Sequence, residues 1–236
     1  MPLDLNRIRA FCFDIDGTLR DTDDQLIDQM VKYLTPFNRF FPIQDQRIFA
    51  RRILMALENP GNFLLQIPDR FGVYNKIAAL GDLLLHHRLW HPPKSHTIIA
   101  GTIQTLSELV KTYPLAIVSA RGTQMTNSFI DHFHLGEYFQ ILVSAQSCRH
   151  TKPFPDPILF VAQHLRISPS ECVMVGDTTL DIRAGVAAGT QTIGVLSGFG
   201  EEKELNQAGA DLILKSVAQI PALFSTPQTS KKTVDK

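Results

Sequence analysis

Short apolar runs pace the second half of the chain. PLAIVSA (114–120), FQILVSA (139–145), CVMVGD (172–177), QTIGVL (191–196) and DLILK (211–215) have strand length and carry β-branched residues. Between them lie amphipathic segments with helical spacing, at 123–133, 157–165, 180–188 and 201–208. Another apolar run ends on Asp14 near the N-terminus. Strands covered on both faces read as continuous apolar stretches, and their alternation with helices predicts a parallel sheet with right-handed crossovers. The expected fold is α/β, a doubly wound parallel sheet. Ligands of such sheets bind past the carboxyl ends of the strands, so the residues there are the candidates for chemistry.

Residues 21–100 follow a different rhythm. Leu26, Ile27, Met30, Val31 and Leu34 form a helical stripe, as do Ile48, Phe49, Ile53, Leu54 and Leu57, then Val73, Ile77, Leu80 and Leu84. No strand pattern is evident there, and Pro36, Pro42, Pro60, Pro68 and Pro92-Pro93 divide the stretch into several helices. The pattern predicts a core built from 1–20 and 101–224, with a helical cap at 21–100 inserted after the first strand. Its joints, near Leu19 to Asp21 and Pro92 to Gly101, could serve as a hinge. The polar tail at 225–236 is expected to be disordered.

Charge adds little. The 236 residues carry 23 Lys+Arg and 23 Asp+Glu, so nothing global argues for nucleic acid or an anionic membrane as partner. Cys12, Cys148 and Cys172 are odd in number, which suggests reduced thiols that serve packing. MPLDLNRIRA lacks the apolar region of a signal peptide, and no apolar run approaches the ~20 residues that span a bilayer. A cytoplasmic protein is expected.

The strand ends carry the candidate chemistry. In FCFDIDGTL, Asp14 and Asp16 would project the same way from an unbroken strand, and their crowding would raise one pKa or call for a cation such as Mg²⁺. An Asp-rich turn accounts for them equally well. Ser119 ends another strand, where it could be a helix cap or a hydrogen-bond donor to a ligand. Lys152, in HTKPFPDP, is either a solvated lysine or a fixed cation. Asp177 ends a third strand, and Thr178-x-x-Asp181 fits a helix capping box while also placing Asp181 near Asp177. Together these positions supply what phosphoryl transfer needs, a nucleophile, a metal cage, a hydroxyl and a cation.

As an ordered set, DIDGTL, Ser119, Lys152 and GDTTLD resemble the motifs of the haloacid dehalogenase-like superfamily of Mg²⁺-dependent phosphotransferases. The C-terminal half is similar to its phosphoglycolate phosphatase and pyrophosphatase branch, and the resemblance covers 8–20 and about 101–223. It implies that Asp14 is the nucleophile that forms an aspartyl phosphate and that Asp16 is the general acid, then the base that activates water. Ser119, Ala120 and Lys152 would bind the phosphate. Asp14, Asp177 and the backbone carbonyl of Asp16 would hold Mg²⁺, with Asp181 beside them. Thr151 stands where relatives carry glycine, and SAR where many carry asparagine after the Ser or Thr.

The implied function is a Mg²⁺-dependent phosphomonoesterase acting on a small, phosphoglycolate-like phosphate ester, as monomer or homodimer. The alternatives are a phosphomutase of the β-phosphoglucomutase type and a catalytically silent binding protein. Other features carry no chemistry: His86, His87, His91 and His96 fit no zinc spacing, Cys148 and His150 form no credible dyad, and no GxGxxG or GxxxxGK[ST] is present. Arg39, Arg47, Arg51, Arg52 and Arg70 are taken as a solvated charged face.

Overall fold

The computed structural model describes residues 3–21, 31–32 and 97–225. In chain order its elements are β1 (Ala10–Phe13), β2 (Arg20–Asp21), β3 (Thr97–Ile98), α1 (Thr102–Leu109), β4 (Leu115–Val118), α2 (Thr123–His132), β5 (Phe139–Val143), α3 (Asp156–Leu165), β6 (Cys172–Gly176), α4 (Thr179–Ala188), β7 (Gln191–Val195), α5 (Glu202–Ala208), β8 (Leu212–Leu214) and α6 (Ile220–Ser225). Short 3₁₀ turns punctuate the connections. The strands and helices expected from periodicity at 114–215 lie where it put them, within a residue or two at each end.

The main sheet is parallel, in the order β5-β4-β1-β6-β7-β8. The chain runs outward on one side of β1 through β4 and β5, then returns to the other side at β6. That reversal opens a crevice at the carboxyl ends of β1, β4 and β6. All four residues of β1 and of β4 are buried, as are all five of β6, which explains their unbroken apolar sequence.

Alternation then sorts these strands into two faces. Phe11, Phe13, Leu115, Ile117, Val173 and Val175 join one cluster with Leu106 of α1, Phe129 of α2 and Ile220 of α6. Cys12, Ala116, Val118 and Met174 join the opposite one with Ile158 and Val161 of α3 and Ala184 of α4. Small residues on the second face, Cys12 and Ala116, let those helices approach closely. Helix α4 is fixed at both ends: Thr178 and Asp181 form the expected capping box, and Gly189 closes it at φ +73°.

The expected helical cap at 21–100 and the tail lie largely outside the described residues. The described parts of the two joints, up to Asp21 and from Thr97, meet: Arg20 pairs with Ile98 and Asp21 with Thr97 in a two-stranded antiparallel ribbon. The strand Thr97–Ile98 corrects the expectation that 21–100 contains none. A two-residue pairing has no periodicity to read.

Phe11 anchors the first cluster, with Tyr113 edge-on at 5.3 Å and Phe224 at 6.1 Å between ring centroids. Phe11→Ala is expected to lower the unfolding free energy by about 3–5 kcal/mol, as read by urea denaturation.

Candidate active site

The three strands that meet at the crevice end on the expected residues. Asp14 follows β1, Ser119 follows β4 and Asp177 follows β6. Strand β1 stops at Phe13, though the Asp14 N–H still donates to the Val175 carbonyl at 2.9 Å. A tight turn follows, in which the N–H groups of Thr18, Leu19 and Arg20 all donate to the Ile15 carbonyl. Asp14 and Asp16 therefore do not share the face of an unbroken strand. Asp14 belongs to the sheet end and Asp16 to the turn.

Lys152 is brought to Asp14 by the loop before α3. Its Nζ donates to Asp14 Oδ1 at 2.7 Å and to Asp181 Oδ1 at 2.6 Å. The other Asp181 oxygen accepts from the Thr178 backbone N–H at 3.0 Å and from Thr178 Oγ1 at 2.6 Å. One carboxylate thus caps α4 as a capping box and also pairs with Lys152, a contact the spacing did not suggest. Asp177 is fully buried, accepting from the Phe199 N–H at 2.8 Å and from Thr18 Oγ1 at 3.4 Å. It sits against Gly17 and Gly198, where any Cβ would collide with its carboxylate. Gly17 also has φ +71°, which the turn requires.

Carboxylate oxygens of Asp14, Asp177 and Asp181 can come within 4.8 Å of one another. Such a set of hard oxygen donors can hold a hard cation. Burial, reinforced by Asp181 and Asp16, pushes the Asp14 carboxyl up to about 7 despite Lys152 beside it. Burial works to lower Lys152, but Asp14 and Asp181 outweigh it and raise its pKa above the usual lysine range. As the pH rises, the first proton lost from this pair comes from Asp14, and Lys152 stays charged.

The side chain of Asp16 lies outside that acidic cluster. Arg121 grips it through Nε to Oδ2 and through Nη2 to Oδ1 at 2.5 Å, and Arg20 Nη1 lies 3.3 Å from Oδ1. Ser119, which is 3% exposed, accepts from the Arg121 backbone N–H at 3.1 Å. It does not cap α2, whose N-cap is Gly122. Ala120 occupies the same turn between them. The sequence reasoning missed Arg20 and Arg121. In the sequence SAR stands out only as a departure from relatives, and no spacing links Arg121 to Asp16.

A sequence profile described as haloacid dehalogenase-like hydrolase matches residues 11–195. The chain belongs to that family. This hydrolase is 28% identical over 218 residues to the pyrophosphatase PpaX of Bacillus velezensis, covering 91% of this chain and 95% of that one. It is also 28% identical over 175 residues to the phosphoglycolate phosphatase of Escherichia coli K12, covering 74% of this chain and 64% of the relative. These relatives place it among the phosphatases. Its fold resembles that of a haloacid dehalogenase-like hydrolase from Bacteroides fragilis, with a TM-score of 0.66, 23% identity and coverage of 90% and 99%. A second similar structure, with a TM-score of 0.62 and 21% identity, covers 92% of this chain and 95% of a hydrolase from Deinococcus radiodurans that holds phosphate and sodium.

Removing one partner from a buried ion pair costs about 3–5 kcal/mol. In metal-free buffer, Lys152→Met is expected to lose about 3 kcal/mol of stability at pH 8 and less at pH 5, where Asp14 carries a proton in both proteins. Urea titrations at the two pH values check this. Equal losses would show that the Asp14 charge is not what Lys152 compensates.

Proposed function

We propose that this hydrolase is a Mg²⁺-dependent phosphomonoesterase that acts on a small phosphorylated metabolite through an aspartyl phosphate on Asp14. The observation that carries the reading is Asp14 itself. It is a nearly buried carboxylate at the end of a central strand, paired with a fixed Lys152 and grouped with two further acids. The phosphatase names among its relatives support the same reaction class, including a phosphoglycolate-like substrate.

Asp14 attacks phosphorus as an ionised carboxylate and needs no base. Its oxygen bonds to phosphorus as the ester oxygen leaves with its electron pair, and that oxygen takes a proton from Asp16. Asp16, now a carboxylate, removes a proton from water. The resulting hydroxide attacks phosphorus, the bond to the Asp14 oxygen breaks, and inorganic phosphate leaves with Asp14 regenerated. Lys152 keeps Asp14 in place and offsets phosphoryl charge, while Ser119 and Ala120 line the phosphate side of the crevice.

The all-oxygen cluster suits Mg²⁺, with Asp14, Asp177 and the Asp16 backbone carbonyl as the proposed ligands and Asp181 as the acid that orients Lys152 beside them. When bound, Mg²⁺ neutralises charge on the phosphoryl oxygens. Residues 21–100 are assigned to a cap that selects the substrate, and the ribbon of β2 and β3, which brings both joints of that segment together, supports this. Cys12, Cys148 and Cys172 form no disulfide, and the first and last are buried, which fits the reducing cytoplasm.

Asp14→Asn is expected to lower phosphate release by about 10³-fold or more, measured across phosphoglycolate, sugar phosphates, nucleotides and pyrophosphate. Appreciable turnover would remove Asp14 from its role. Asp16→Ala should slow alkyl phosphates far more than aryl phosphates, whose leaving groups need no proton. Equal slowing would leave Asp16 without general-acid work.

Acid should also compete with the metal. With its carboxyl at about 7, metal-free Asp14 holds a proton in the folded state that the unfolded chain loses near pH 4. Its contribution therefore favours folding in acid and fades as the pH rises through 7. A cation needs that proton gone, so Mg²⁺ binding near pH 6 is expected to release about one proton and to tighten up to about pH 8. Calorimetry in buffers of different ionisation heat measures the release, and binding with no proton uptake or release would contradict it.

A further inference from the structure

Among the described residues, the Asp16 side chain pairs with more than one cation, and Asp21 is a further acid acting on Arg20. One carboxylate faces two guanidinium groups, and the two differ in their freedom. Arg20 is 6% exposed and closes the turn it belongs to, its carbonyl accepting from the Gly17 N–H at 2.8 Å. Its Nε is buried with no hydrogen-bond partner among the described residues. Burial, with Arg121 alongside, lowers its pKa from the ordinary arginine value. Arg121 and Asp16 are more accessible, with side chains 15% and 30% exposed. The site thus holds one buried cation with an unsatisfied donor and a second that is partly exposed.

This arrangement conflicts with the work assigned to Asp16. The fork of Arg121 engages both Asp16 oxygens, so the carboxyl cannot address a leaving oxygen until the fork lets go. Release need not strand a charge, because Arg20 remains at 3.3 Å. What is needed is another anion for the fork. A planar guanidinium pairs in the same bidentate way with any carboxylate or phosphate.

On the phosphatase reading above, we infer that Arg121 and Arg20 form a subsite for a second anionic group on the leaving side of the substrate, and that Arg121 passes from Asp16 to that group on binding. The substrate class is then a phosphate ester or anhydride whose leaving group carries its own carboxylate or phosphate. Such a substrate frees the Asp16 carboxyl that its own cleavage needs. A neutral leaving group leaves the fork closed.

The test is calorimetric binding to the Mg²⁺-loaded Asp14→Asn protein, with and without Arg121→Ala. The probes are phosphoglycolate, pyrophosphate and ethyl phosphate, the last lacking the second anion. Losing a charge-assisted fork is expected to lower the affinity ratio of the first two probes over ethyl phosphate by about thirtyfold, with Arg121→Lys in between. A fall for phosphoglycolate alone identifies a carboxylate subsite, and for pyrophosphate alone a phosphate subsite. An unchanged ratio for both, or no preference for them before Arg121 is replaced, overturns the inference. Arg121→Gln, which keeps a hydrogen bond to Asp16 without the charge, carries the same expectation if the alanine variant does not fold.

Phosphate release by the unmutated protein separates the two readings. If it cleaves none of the probes while the ratio still falls, the subsite stands and the phosphatase assignment fails. If it cleaves phosphoglycolate while the ratio stays put, the phosphatase assignment stands and the subsite fails.

Discussion

The ion pairs of Lys152 are the constraint on which the site depends. The ends of β1 and β6 and the first turn of α4 bring three acids into a buried crevice, where like charges repel and none is well hydrated. Lys152 lies within 2.7 Å of two of them and is itself 6% exposed. Its loop runs from β5 to α3, so the packing of Ile158 and Val161 onto the sheet also fixes where this positive charge sits. Core packing on one face of the sheet and charge balance at its edge are therefore the same structural requirement.

Asp177, the third acid, is held differently. It has a backbone N–H and a threonine hydroxyl as partners, and two glycines let other chain segments come up against it. Gly17 belongs to the turn after β1 and Gly198 to the segment after β7, so three strand ends are locked around one carboxylate. A methyl group at either glycine would push that carboxylate out of the cluster. Backbone shape thus decides whether these residue types can act together.

Most of the sheet could be read in the sequence because β1, β4 and β6 are buried on both faces, which forces continuous apolar runs. Helix α1 was harder to see. Four of its residues are buried, but two of those are Thr102 and Thr105, and Thr105 satisfies its hydroxyl on the Val217 carbonyl at 3.3 Å. Polar residues buried through a distant partner leave no apolar stripe. At the site, the acids stood out because each follows a strand at a fixed offset, and the resemblance supplied their order. Arg121 did not, because its partner Asp16 lies 105 residues away in sequence, past the end of the neighbouring strand. Pairings made by topology have no local signature.

Asp14 and Asp16 are one residue apart and identical in kind, yet the fold gives them opposite surroundings. Asp14 is sealed at the strand end, where burial outweighs a neighbouring ammonium and pushes its carboxyl up to about 7. Asp16 sits on a turn, held by two guanidiniums and 30% exposed. The divide is the single point where β1 stops and Gly17 lets the chain reverse. On the proposed mechanism, the carboxylate that bonds to phosphorus gains from fixed position and exclusion of water, while the one that passes protons gains from access and a partner that can leave. One strand end followed by one tight turn meets both needs with the same residue type.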